Sequence, residues 1–244
     1  MKTYLIALSL LPFLASAEVK TTAIGTGFFY NGSGDFFTNR HVVETCKKSS
    51  IQARTQDGEW HRVRLLAIDS KFDIAAGSIN QEVPAFASIR TYAGTSNVSV
   101  PEQVEDVFSA GFSAPVRNEF KLQTKWGQIQ PWRDPNEPPF VQRMRMDAYS
   151  GASGSPILDY GGLLVGILFA GSKYPTPDLD HLKDTGYGDK WIFAYNNNAI
   201  VDFANRNKLQ YAAWSQWKRQ DPMFIARHAS RITLMIVCEL RDGT

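Results

Sequence analysis

A chain of 244 residues with 43% hydrophobic and 20% charged residues holds enough apolar material for a full core, as one larger domain or two small lobes, and is not a disordered chain. Its formal net charge is +2, with Lys and Arg scattered among Asp and Glu, so it lacks the basic footprint of a nucleic-acid binder.

Residues 1–17 read as a secretory signal peptide: Lys2, an apolar run from Tyr4 to Leu14, and the small-x-small sequence Ala15-Ser16-Ala17 before a new N-terminus at Glu18. The run is about half of the twenty or so residues that a bilayer span needs, which makes a retained anchor the lesser reading. Export, periplasmic or secreted, would place Cys46 and Cys238 where a disulfide persists. The sequence leaves open whether they pair or are two separate buried thiols.

Short apolar or alternating stretches then recur between turn residues, predicting an all-β barrel or sandwich rather than βαβ units. Residues 24–30 read as a strand and 35–38 as its partner, joined by Asn31-Gly32-Ser33-Gly34, because Asn and Gly tolerate the positive φ of a tight turn. This hairpin ends just before His41. Strands follow at 50–54, 60–68 and 74–79, with Asp57-Gly58 as a turn. Residues 91–103 are rich in Thr, Ser, Asn and Gly and read as a linker between lobes. Strands at 106–111, 120–129, 141–146, 163–169 and 191–195 follow, with a proline-rich loop at 131–139. Asn196-Asn197-Asn198 caps a helix over 197–206 whose Ala199, Ile200, Phe203 and Ala204 recur at helical spacing. The tail 214–244 reads as a strand or a docked terminal segment, and its apolar stretch 232–240 is too short for a bilayer.

A serine hydroxyl needs a base within hydrogen-bond reach, a third group to orient the base, and donors for the oxyanion. Gly151-Ala152-Ser153-Gly154-Ser155-Pro156 offers a nucleophile in a turn of small residues, with the amides of Gly151 and Ser153 as donors. Thr38-Asn39-Arg40-His41-Val42-Val43 puts a histidine directly after a strand, at the start of a single helical turn. Asp73-Ile74-Ala75 offers a carboxylate followed by small apolar residues, against which stands an ordinary turn or strand-cap aspartate.

Taken in order, Gly25-Thr26-Gly27-Phe28, Thr38 to Val43, Asp73-Ile74-Ala75, Gly151 to Pro156, Gly166-Ile167 and Phe193-Ala194 resemble the trypsin-like serine peptidases. Within these, the bacterial HtrA and glutamyl-endopeptidase groups are the most similar, over about residues 24–204. The resemblance implies a chymotrypsin-like double barrel: two antiparallel six-stranded β-barrels with a C-terminal helix, in a peptidase domain of residues 18–213. Lobe one (about 22–90) would supply His41 and Asp73, and lobe two (about 104–195) would supply Ser153. It further implies that His41 takes and returns the Ser153 proton, that Asp73 fixes the His41 tautomer, and that an acyl-enzyme forms on a protein or peptide substrate. Ser155 departs from the commoner glycine, as in the glutamyl-endopeptidase group. No PDZ domain is read after the terminal helix, and a monomer is expected. The order His, Asp, Ser differs from that of α/β-hydrolases. A noncatalytic homologue that keeps the fold as a binding module is the competing reading.

For specificity, Asp147 stands six residues before Ser153, where trypsin itself carries its pocket aspartate, which suits Arg or Lys. Ile192 replaces a pocket-lining glycine and would narrow the pocket, with Phe169, Ala170 and Gly171 as one wall, so a small aliphatic residue is the preferred expectation. His41, His61, His181 and His228 stand at no ligand spacing, and neither a metal nor another cofactor is expected. The tryptophans, Trp126, Trp132 and Trp214 among them, read as packing residues.

Overall fold

A computed structural model describes residues 22–92, 101, 103–113, 119–130, 139–147, 151–171, 191–215 and 218–239. The expected signal peptide, residues 93–100 and 102 of the expected linker, residues 131–138 of the expected proline-rich loop, His181 and Trp132 lie outside the described residues.

In the first lobe β1 (Thr22–Phe29) turns into β2 (Asp35–Thr38), followed by α1 (Arg40–Val43), β3 (Gln52–Arg54), β4 (Trp60–Arg62), β5 (Arg64–Ile68) and β6 (Ala75–Ser78). The β1–β2 turn is closed by Asn31, whose Oδ1 accepts from the amides of Ser33 and Asp35 at 3.1 and 3.2 Å. Gly34 holds φ +78°, and a Cβ there would stand 2.1 Å from the Gln81 carbonyl, so no other residue fits. The expected strand over 60–68 is two strands, interrupted at buried Val63, whose amide bonds the Ile51 carbonyl at 3.0 Å.

The second lobe contains β7 (Ser88–Arg90), β8 (Glu105–Gly111), β9 (Gln123–Gln130), β10 (Val141–Arg145), β11 (Pro156–Leu158), β12 (Leu164–Gly171) and β13 (Trp191–Asn196). The order β11-β8-β9-β10-β13-β12, with β11 pairing back onto β12, is a closed six-stranded barrel as expected. β7 and β14 (Ala212–Trp214) add to β12 in parallel. Helix α2 (Asn197–Arg206) begins where expected, its Asn196 side chain accepting from the amides of Asn198 and Ala199. It buries Ala199, Ile200, Phe203 and Ala204 in a cluster shared with Phe28 and Phe37 of lobe one and Phe108 and Ile167 of lobe two. One apolar core therefore spans both lobes.

The tail takes part in lobe one. After α3 (Pro222–Ile232), β15 (Thr233–Glu239) inserts between β1 and β3, giving the order β4-β3-β15-β1-β2-β6-β5. Lobe one is thus an open, half-barrel sheet of seven strands rather than six, and the extra strand comes from the end of the chain. β15 runs antiparallel to β1 from Thr22↔Glu239 to Phe28↔Thr233. Cys46, just after α1, is disulfide-bonded to Cys238 of β15, with Cα atoms 5.7 Å apart across 192 residues of sequence. Among the described residues no helix is long and apolar enough to cross a membrane.

In the chain-entropy account a disulfide that closes so long a loop removes about 5 kcal/mol of freedom from the unfolded chain. Replacing Cys46 and Cys238 together by Ser is expected to lower the unfolding free energy by about 2–5 kcal/mol in urea titrations. An unchanged midpoint would contradict this account.

Candidate active site

The first-turn amides of helix α1, like those of any helix, have no intrahelical acceptor, and Asn39 at its N-cap offers no side-chain bond to them. Asp73, from the loop before β6, fills that role. Its Oδ1 accepts from the His41 amide at 2.8 Å and its Oδ2 meets His41 Nδ1 at 2.5 Å. One carboxylate therefore fixes both the backbone and the ring of His41. With Nδ1 donating to Asp73, Nε2 of the neutral ring carries the free lone pair. The His41 side chain is 45% exposed and that of Asp73 only 17%, so the imidazole is open to solvent while its partner is sheltered.

Asp73 is itself held from both lobes. Its carbonyl accepts from Asn39 Nδ2 at 2.7 Å, and its amide donates to the Tyr195 hydroxyl of β13 at 3.2 Å. Tyr195 is stacked on Phe169 at 4.1 Å between ring centroids. Four residues upstream, the fully buried Asp69 carboxylate pairs with Arg206 of α2 and accepts from the amides of Lys71 and Phe72. Its hydrogen bond raises the Arg206 pKa above the usual arginine value. The loop that presents Asp73 is anchored at both ends.

Ser153 lies in the turn between β10 and β11 and is partly exposed, between buried Ala152 and Gly154. Gly151 and Gly154 take φ of +91° and +88°. A Cβ on Gly154 would stand 2.0 Å from the Thr26 carbonyl, which makes glycine obligatory there. Ser155 is structural: its hydroxyl donates to the Ala152 carbonyl at 2.6 Å. Among the described residues the Ser153 hydroxyl makes no hydrogen bond to His41.

What joins Ser153 to the His41 lobe is Thr26. Its amide donates to the Ser153 carbonyl at 2.9 Å, and its hydroxyl donates to the Gly151 carbonyl at 2.7 Å while accepting from the Phe112 amide at 3.0 Å. Its carbonyl accepts from the Thr38 hydroxyl at 2.7 Å, three residues before His41. Thr26 and Thr38 are fully buried. His41, Asp73 and the Ser153 turn thus converge on the seam between the lobes. No group of three or more His, Cys, Asp or Glu side chains suited to a metal occurs among the described residues.

Residues 25–167 match the family model of the trypsin-like peptidase domain. The chain belongs to the trypsin-like peptidase family. Solved structures with the same fold include Rv3671c of M. tuberculosis H37Rv, an inactive serine-to-alanine mutant (16% identity, TM-score 0.57, covering 77% of this chain and 85% of that one). A serine endoprotease of Yersinia pestis has 17% identity and a TM-score of 0.57 over 76% of this chain and 57% of its own. The HtrA-type protease AlgW with a decapeptide has 17% identity and a TM-score of 0.57 over 75% of this chain and 51% of its own. No curated protein matches the chain in sequence.

In this trypsin-like peptidase the expected pocket residues do not all come together. Ile192 is 4% exposed and packs inside the second barrel with Met144, Ala152, Val165 and Leu168. Its side chain is thus part of the barrel core that also holds Ala152, the residue before Ser153. Phe169 is buried against Val141, Phe193 and Tyr195, Ala170 and Gly171 continue β12 opposite Phe193 and Ile192, and Asp147 is exposed after β10. Trp126, 45% exposed, packs edge-on against buried Phe108 and stacks on Tyr160, as a packing residue, whereas Trp214 is 55% exposed and lies outside the core. Sequence reasoning missed Thr26 and Tyr195 as positioning residues. The glycines flanking Thr26 carried a signal, since a Cβ on Gly25 would stand 2.5 Å from Val42.

Thr26→Val keeps the shape of the side chain but leaves the Gly151 carbonyl and the Phe112 amide without their partner. Unfolding in urea is expected to show a loss of about 2–4 kcal/mol, as for two buried polar groups left unpaired, with Thr26→Ser retaining most of the stability. Equal stabilities for the Val variant and the wild type would refute the role given to this hydroxyl.

Proposed function

We propose that this trypsin-like peptidase is an exported serine endopeptidase that cleaves proteins or peptides through Ser153, His41 and Asp73. The observation that carries the reading is the double hydrogen bond of Asp73 to the amide and Nδ1 of His41. A base needs to be held in one tautomer with its other nitrogen free, and this contact does both. The ordered motifs and the glycine-rich turn around Ser153 add support. The apolar start of the sequence and the Cys46–Cys238 disulfide support export.

In this reading Ser153 Oγ attacks the scissile carbonyl carbon as its proton passes to His41 Nε2. The negative charge that develops on the carbonyl oxygen is met by the amides of Gly151 and Ser153. Asp73 stabilises the imidazolium without taking its proton. Collapse of the tetrahedral intermediate breaks the C–N bond, and the departing amine takes the proton from His41 Nε2. Water then attacks the acyl-Ser153 ester as it gives a proton to His41 Nε2; collapse of this second intermediate breaks the bond from the acyl carbon to Ser153 Oγ, which takes the proton back from His41, and the acid product leaves.

Steady-state cleavage of a protein substrate tests this assignment. Ser153→Ala and His41→Ala are each expected to lower kcat by about a millionfold, Asp73→Ala by about ten-thousandfold, and the double Ser153 and His41 variant no further than either alone. A loss of only about tenfold in a folded Ser153→Ala protein would sink the mechanism.

A further inference from the structure

A groove of about 540 Å³ opens between the β7–β14 strands, the turn before β12 and helix α3, and His41, Asp73 and Ser153 take no part in it. Phe86, Trp214 and Phe224 line it, with Trp214 55% and Phe224 48% exposed. Met223, adjoining Phe224, is 65% exposed. Large apolar side chains left clustered in water mark interaction surfaces more often than lone exposed ones do.

The groove is preformed. β14 is paired to β7, the Gln220 amide donates to the Tyr160 carbonyl at 2.8 Å, and α3 is anchored by buried Ile225, Ala229 and Ile232. Its volume falls within the range of ligand-sized sites. Its charge is one-sided: no carboxylate lines it, and Lys218 at its wall makes no ion pair among the described residues. Asp221, the acid nearest in sequence, is committed to capping α3 through the Met223 amide.

We propose that this groove is a second peptide-binding site, taking an extended segment that presents one bulky apolar side chain beside Asp or Glu. The aromatic walls suit the apolar side chain and Lys218 suits the carboxylate. At Gly162 a Cβ would meet only the His228 ring, at 3.7 Å, so a ligand main chain has room to approach this turn. A bilayer surface would call for a protruding apolar face, whereas these aromatics line a concavity.

The test is fluorescence polarisation with the full chain carrying Ser153→Ala, so that cleavage does not consume the probe. The probe is a fluorescein-labelled peptide of alternating Val and Glu around a central Phe. Saturable binding in the micromolar range is expected, weakened at least tenfold by Trp214→Ala, by Phe224→Ala and by replacing the probe's Glu with Lys (about 1.4 kcal/mol or more). Lys218→Glu, at an exposed side chain, is expected to reverse the preference between the two probes. No saturable binding, or binding that ignores these substitutions, overturns the proposal. So does sedimentation with phosphatidylglycerol vesicles that depends on Trp214 and Phe224 while the peptide fails to bind, which would make this face a membrane contact. Because the readout is binding away from Ser153, its failure is distinct from failure of the peptidase assignment.

Discussion

Thr26 uses each of its backbone and hydroxyl polar groups at the seam between the lobes. Its amide and hydroxyl hold the carbonyls of Ser153 and Gly151, its hydroxyl also receives the Phe112 amide, and its carbonyl receives the Thr38 hydroxyl. A buried polar group left unpaired is costly, so these four bonds are satisfied together or the seam opens. Gly154 enforces the same registration by contact, since any side chain there would collide with the Thr26 carbonyl. The distance between the Ser153 turn and the strand leading to His41 is therefore set by the buried interior. Tyr195 adds a second crossing, from β13 to the Asp73 amide.

The end of the chain is part of the same frame. β15 sits beside β1, so the strand that carries Thr26 is flanked on one side by β2 and on the other by the last described residues. The disulfide then ties β15 to the segment just after α1, five residues beyond His41. Lobe one is completed only when the terminal strand is in place. Its stability depends on contacts distant in sequence, which are slow to form because loop closure precedes any gain from pairing.

Much of this was legible where the controlling forces are local. The β1–β2 hairpin followed from turn residues that accept positive φ, and α2 followed from an Asn cap and an apolar period, with the expected bounds. The motif order brought His41 and Asp73 into contact as expected. The tail was not legible in the same way, because pairing of β15 with β1 joins residues more than two hundred positions apart and no local pattern encodes a partner. Helix α3 carried both a start signal, Asp221 followed by Pro222, and a helical apolar spacing at Ile225, Ala229 and Ile232, so its helix was locally encoded although the partner of the strand after it was not. Tyr195 gave no sequence signal, since its hydroxyl acts across the lobes.

In the proposed mechanism Ser153 is a nucleophile activated by a base held in place through Asp73 and oriented across a seam fixed by Thr26. The most direct measurement is intact-mass spectrometry with peptide mapping after treatment with a fluorophosphonate. The account predicts one adduct per chain, located on Ser153, absent from the Ser153→Ala variant and formed much more slowly in His41→Ala. Labelling at another residue, or no labelling of a folded wild-type chain, would contradict it and favour a homologue that binds rather than cleaves.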